Sequence, residues 1–195
     1  MSEQPSILAF AGSTRSGSFN KMLVRIAADA AKEAGARVTL VDLRDLALPL
    51  YDEDLESRSG LPENAKKLKS MMKASDGFLI AAPEYNSSIT GVMKNAIDWA
   101  SRPEKGEKPL EAFSGKVAGI MSASPGGLGG LRGLYHVRQI LSNINMLVIP
   151  EQLAISKAGD VFNESGELTD DKQRETVRSI AKRVVEVAGK LKRER

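Results

Sequence analysis

Short apolar runs alternate with amphipathic helical stretches along this chain, and that alternation restricts the fold more than any other feature. The first run, Ile7-Leu8-Ala9-Phe10-Ala11, offers no polar position to water. It reads as a strand buried on both faces, the kind found inside a parallel sheet. After a glycine-containing segment, Leu23, Ile26, Ala27, Ala30, Ala31 and Ala34 recur at helical spacing until Gly35 supplies a stop. A second strand over 38–43, a helix opened by Pro62 with Ala65, Leu68, Met71 and Met72 on its stripe, and a third strand over 78–82 follow. The pattern continues with a helix over 91–101, a strand over 116–123, a helix over 131–145 and a strand running from 146 into Ile149-Pro150. A last helix, with Thr169 as its N-cap and Asp170 and Asp171 behind it, turns Val177, Ile180, Ala181, Val184, Ala188 and Leu191 inward.

Five strands alternating with five helices predict an α/β fold, a flavodoxin-like doubly wound parallel sheet of order 2-1-3-4-5 in three layers. No linker or repeat divides the 195 residues, so one domain over 1–195 is expected, with loops at 44–61, 102–114 and 156–168. A chain of this size buries about 70% of its unfolded surface and needs no covalent staple. It has no cysteine and one histidine, His136, which excludes thiol catalysis, Cys-ligated zinc, iron–sulfur clusters and multi-histidine metal sites. Demanding chemistry is left to a borrowed cofactor. Uninterrupted apolar runs such as 7–11 and 78–82 fall far short of the ~20 residues of a membrane helix, so no membrane insertion is expected. The start, Met1-Ser2-Glu3-Gln4-Pro5, lacks the basic and apolar regions of a signal peptide, which makes cytoplasmic residence the expectation. The 28 basic residues are interspersed with 25 acidic ones except in the tail at 190–195, a solvated helix end, and no nucleic-acid binding is expected.

Ligands of such sheets lie outside the carboxyl ends of the strands, so the chemistry is sought in residues 12–20, 83–91 and 122–130. The first, Gly-Ser-Thr-Arg-Ser-Gly-Ser-Phe-Asn, puts hydroxyls, a guanidinium and two glycines at a helix N-terminus, the groups a phosphate needs. It is neither a Walker A loop nor a G-x-G-x-x-G fingerprint, and a capped turn is its plain alternative. The second, Pro-Glu-Tyr-Asn-Ser-Ser-Ile-Thr-Gly, combines an aromatic ring with in-plane amide and hydroxyl donors that suit a flat heterocycle, or form a polar turn. The third holds four glycines among residues 126–130, either a cradle of backbone N–H groups or a hinge. Asp42 at the end of the second strand reads as a turn residue ahead of a ribose-binding acid, His136 as structural or interfacial, and Arg102 and Lys105 as solvated ahead of contacts to a 2′-phosphate.

These motifs, together with Lys-Asn-Ala-Ile-Asp-Trp at 94–99 and Leu-Tyr-His-Val-Arg-Gln-Ile-Leu at 134–141, resemble the NADPH-dependent FMN reductases over roughly residues 5–150. That family includes bacterial quinone, chromate and azo-dye reductases. The resemblance implies noncovalent FMN, with Ser13, Arg15, Ser18, Phe19 and Asn20 around its phosphate. It further implies Pro83, Glu84, Tyr85, Asn86 and Ser87 along the isoalloxazine, and Ser122, Ser124, Gly126 and Gly127 closing the pyrimidine side. The sequence departs from the common pattern at Ile89-Thr90-Gly91, where relatives carry proline before the glycine, and at Ser124-Pro125. A homodimer or homotetramer is implied too, with Trp99 and Tyr135 as exposed aromatics suited to the interface.

The mechanism expected on this basis is ping-pong hydride transfer from NADPH or NADH to flavin N5 and then to a quinone-like, azo or chromate acceptor, with no catalytic side chain. Two alternatives stay open. One is a flavodoxin-like FMN-binding electron carrier without NAD(P)H oxidation, against which a net charge of +3 weighs mildly because such carriers are usually acidic. The other is a binding module for a different anion.

Overall fold

The computed structural model describes residues 4–193; the expectations for Met1–Glu3 and for the last two residues of the basic tail lie outside the described residues. In chain order the elements are β1 (Ser6–Ala11), α1 (Phe19–Glu33), β2 (Arg37–Asp42), α2 (Leu43–Leu46), α3 (Glu53–Ser59), α4 (Glu63–Lys73) and β3 (Gly77–Ala81). They continue through β4 (Glu84–Tyr85), β5 (Ser88–Ile89), α5 (Gly91–Ser101), β6 (Val117–Ala123), α6 (Leu131–Asn143), β7 (Leu147–Ile155), α7 (Ala158–Val161) and α8 (Asp171–Arg193). The parallel sheet runs β2-β1-β3-β6-β7. This is the expected doubly wound order with the small β4–β5 hairpin inserted after its third strand. Among the described residues no helix is long and apolar enough to cross a membrane.

The two-residue period of the strands sorts their side chains into two cores. Ile7, Ala9 and Ala11 of β1, with Leu79 and Ala81 of β3, meet Leu23, Ala27 and Ala31 of α1 and Val177, Ile180 and Val184 of α8. On the opposite face Leu8, Phe10, Phe78 and Ile80 pack with Leu68, Met93, Ile97, Leu134 and Val137 from α4, α5 and α6. Both faces of the central strands β1, β3 and β6 are therefore dry, as their unbroken apolar runs require, while the edge strands β2 and β7 are partly exposed.

Several connections are more ordered than expected. The 44–61 segment contains α2 and α3. The second of these buries none of its residues; it forms because Asp52 accepts from Asp54 N at 2.8 Å and Glu53, Asp54 and Glu56 populate its first turn. Trp99 overturns its expected exposure, being fully buried. Its Nε1 donates to Pro49 O at 2.7 Å, and Asn95 donates to the same carbonyl at 2.8 Å while accepting from Tyr51 N at 2.7 Å. The Asn-x-x-x-Trp spacing of α5 thus clamps the 49–51 segment. Arg102 is engaged rather than solvated, reaching Glu56 Oε2 at 3.0 Å and lying over the Tyr51 ring. The last helix begins one residue later than the Thr169 cap predicts. Asp170 caps it, accepting from Gln173 N at 2.8 Å, and the Thr169 hydroxyl turns back to Val161 O. The 156–168 segment carries α7 and a Phe162–Leu168 bridge.

Glu107 pins the 102–114 segment to α4 through Lys69 and Lys73, the latter at 2.8 Å. Burial pushes its carboxyl up, but the two ammonium groups and Glu104 N outweigh that and hold it at about 2, below its ordinary 4.5. A depressed folded-state value contributes stability above the ordinary value and loses it as pH falls. Unfolding free energy should therefore decline between about pH 4.5 and 2 through this group. Glu107→Gln is expected to cost about 1 kcal/mol at neutral pH, after solvent screening, and to flatten that part of a urea-denaturation pH profile.

Candidate functional site

The loops after β1, β3 and β6, three neighbouring strands, emerge side by side at the carboxyl edge of the sheet. In the first, residues 14–17 are exposed while Ser13 and Ser18 are nearly buried beneath them. Ser13 Oγ accepts from Arg15 N at 3.3 Å. Ser18 occupies the N-cap of α1 in an extended conformation but makes no side-chain cap bond, so its hydroxyl does not satisfy the first turn of that 15-residue helix. Donors at the positive end of a helix dipole are what an anion seeks. Arg15 is exposed, its guanidinium 5.7 Å from the Phe19 ring centroid, and Phe19 in turn stacks on Phe162 at 5.6 Å. Phe19 is therefore a platform under the loop. A residue the sequence reading missed is Arg44, whose Nη1 donates to Ser16 Oγ at 2.6 Å and brings a second guanidinium to the same loop. Nothing in its spacing signals this.

Asn20 stands differently from the resemblance. Its Nδ2 donates to Ala123 O at 2.7 Å and its Oδ1 accepts from Ala123 N at 3.0 Å, so its amide braces the start of α1 against the end of β6 instead of facing outward. A second brace joins the first and second loops: the Thr90 hydroxyl donates to Gly12 O at 2.7 Å and accepts from Met93 N at 3.2 Å, capping α5 in the same stroke. Thr90 stands immediately before α5, where a hydroxyl residue is favoured as N-cap, and its reach to Gly12 is a tertiary contact that local sequence does not signal.

In the second loop, Glu84 and Tyr85 pair with Ile89 and Ser88, and Asn86 and Ser87 turn the chain with φ of 51° and 65°. Two left-handed central residues make a type I′ hairpin, natural for Asn86 and strained for Ser87. Tyr85 and Asn86 are exposed and Pro83 is buried. The Glu84 carboxylate bonds to Arg132 Nε at 2.8 Å and Gly133 N at 3.1 Å on α6. Burial pushes that carboxyl up, yet Arg132 and the N–H groups of α6 hold it below its ordinary value. His136 Nδ1 lies 2.8 Å from Ser88 Oγ, fastening the other side of the hairpin to the same helix.

In the third loop, Ser122 is fully buried with no partner for its hydroxyl among the described residues. It lies beneath Gly130, where a Cβ would collide with its Oγ, so its side chain supports the loop from below and does not close the site as expected. Gly129 and Gly130 have φ of 61° and 91°, and a Cβ on Gly129 would come 2.6 Å from the Ile155 carbonyl carbon. Those two glycines are required by backbone conformation and close packing. Gly127 is not: a Cβ there would meet nothing within 4 Å. Ser124 Oγ accepts from Gly126 N at 3.2 Å, and the turn after β7 holds the loop from behind, with Lys157 N donating to Gly126 O at 3.3 Å and Ala158 N to Ser124 O at 3.1 Å. A cavity of about 170 Å³ lined by Lys21, Arg25, Leu40 and Asp42 flanks this edge on the β2 side. Asp42 there pairs with Lys21 at 2.6 Å and caps α2, in keeping with its reading as a turn residue.

The model of the family described as NADPH-dependent FMN reductase matches residues 5–160. An NAD(P)H-dependent FMN reductase of Pseudomonas aeruginosa is 41% identical over 179 residues, 91% of each chain. A quinone reductase of Escherichia coli K12 is 37% identical over 175 residues, 87% of this chain and 88% of that one. Among solved structures, the flavoenzyme NAD(P)H:(acceptor) oxidoreductase of Paracoccus denitrificans superposes with a TM-score of 0.80 at 27% identity, covering 95% of this chain and 98% of that one. With a family match over most of its length, and with the three expected loops brought to one edge of the expected sheet, the chain belongs to the NADPH-dependent FMN reductase family.

Proposed function

We propose that the protein is an FMN-dependent NAD(P)H oxidoreductase that reduces quinone-like acceptors. The observation that carries this reading is the convergence of the uncapped α1 N-terminus, an aromatic and amide hairpin and the open Gly126–Gly127 loop on one edge, a donor set that fits a phosphate at one end and a flat heterocycle at the other. Ser13, Arg15 and Ser18, with the loop N–H groups, hold the phosphate; Phe19 and Asn20 shape that loop from beneath. Pro83, Tyr85, Asn86 and Ser87 line one side of the ring, and Ser124, Gly126 and Gly127 lie against its pyrimidine edge. FMN, when bound, supplies the redox chemistry, taking hydride from NADPH or NADH and passing electrons to the acceptor.

The chain contributes position and electrostatics. The Gly126 N–H is engaged by Ser124 Oγ, so the Gly127 N–H is the loop donor that would meet a ring edge where negative charge gathers, without any reorganisation at the moment of reaction. Nicotinamide and acceptor use the exposed face beside Tyr85 in turn, a ping-pong sequence, and no side chain need act as nucleophile or base. Azo compounds and chromate extend the acceptor range under this reading. The assembly is a homodimer or homotetramer in the cytoplasm, with Tyr135, 59% exposed beside the hairpin, in place of the buried Trp99 as an interface aromatic. An electron carrier without NAD(P)H oxidation would share the fold, but the relatives reported above carry reductase names and the basic balance of charge weighs mildly against such docking.

Arg15→Ala tests the phosphate assignment. Loss of a charge-assisted contact should weaken FMN binding by about 1.5–3 kcal/mol in equilibrium dialysis and leave thermal stability of the flavin-free protein unchanged. Unaltered FMN affinity contradicts the assignment. Asn20→Ala should behave in the opposite way. Stripping both partners from a buried peptide is expected to lower unfolding free energy by about 1–3 kcal/mol in urea even without flavin.

A further inference from the structure

Glu84 lies within the motif that the resemblance assigns to the ring, yet its carboxylate is spent elsewhere. The residue at the N-cap of α6, Gly130, has no side chain and sits at φ 91°, so the first turn of that 13-residue helix must find its acceptor outside its own sequence. Glu84, 46 residues earlier in the chain by its number and Gly130's, provides it. Its Oε2 accepts from Gly133 N at 3.1 Å, and the Arg132 guanidinium closes the outer side through Oε1 at 2.8 Å. A negative group at the positive end of a helix is favourable, and at 8% side-chain exposure little water screens it. The packing is fitted to this contact: a Cβ on Gly133 would come 3.3 Å from both Glu84 Cβ and Ser88 O, so the hairpin lies directly on the first turn of α6.

We propose that Glu84 is a positioning residue, a long-range N-cap that locks the β4–β5 hairpin to the first turn of α6 and so fixes the two ring-side walls of the site, the hairpin and the 126–130 loop, in one relative geometry. This rests on the functional reading only for its effect on flavin; the lock itself belongs to the protein alone. The phosphate loop is held by other groups, Thr90 and Asn20, so loss of the lock should loosen the ring side without disturbing the phosphate side.

The test is Glu84→Gln in the full chain, which preserves shape and removes the charge. In hydrogen exchange of the flavin-free protein, peptides covering 84–89 and 126–134 should exchange at least ~10-fold faster, the loss of one charge-assisted bond, while peptides covering β1 and β3 do not change. Unchanged exchange in the two segments, or a uniform increase across the sheet, overturns the proposal. In binding, affinity for FMN and for riboflavin, which lacks the phosphate, should fall by the same factor of ~10 or more. A loss confined to FMN, or no loss for either, overturns it as well. Arg132→Gln, which leaves the Gly133 N–H cap bond in place, should accelerate exchange in the same two segments by a smaller factor; acceleration in neither variant counts against the lock. If the unsubstituted protein binds no flavin, the functional reading fails, and the exchange measurement still decides the role of Glu84.

Discussion

Three links, two of them buried and one part-buried, hold the candidate edge together. Thr90 ties the loop after β1 to the loop after β3, Asn20 ties the start of α1 to the end of β6, and Glu84 ties the hairpin to the start of α6. Each joins a different pair of the three loops, so they close a triangle. Parallel strands deliver their carboxyl ends to one side of a sheet but leave the loops beyond them as separate, flexible pieces. Polar links shielded from water turn those pieces into one rigid rim, because an unmade buried bond is costly. A site that meets a flat ligand along its whole length depends on that rigidity more than on any one contact.

Much of this was legible in the sequence, for identifiable reasons. Strands such as β1 and β3 announce themselves because a strand dry on both faces must be apolar at every position, and α1 and α8 because a helix covering one face must be striped at a period near four. The helix α3 is invisible to that reasoning: it has no apolar stripe, only Leu55 half-buried against the Trp99 cluster, and depends on a cap and on acidic residues at its start. The hairpin is not legible as paired strands because each has two residues and Ser87 stands where a type I′ turn favours glycine.

The candidate site divides along similar lines. Residue types identified which loops matter, since hydroxyls, a guanidinium and glycines at strand ends are dictated by the chemistry of an anion. Side-chain direction was not legible. Asn20 and Ser122 look like ligand-facing polar residues in a motif, yet one is consumed by the Ala123 peptide and the other lies under Gly130. Glu84 and Arg44 are of the same kind, their partners being set by tertiary contacts with Arg132 and Gly133 in one case and Ser16 in the other. A motif of polar residues therefore includes groups, such as Asn20 and Glu84, that hold the loops in place.

The central claim is that this rim binds FMN where a nicotinamide can reduce it. The most direct measurement is an oxygen-free titration of the FMN-reconstituted protein, freed of unbound flavin, with NADPH while the visible flavin absorbance is followed. The account predicts bleaching that is complete at one equivalent and reversed by a quinone. Bound flavin that stays oxidised in the presence of both NADPH and NADH would contradict it.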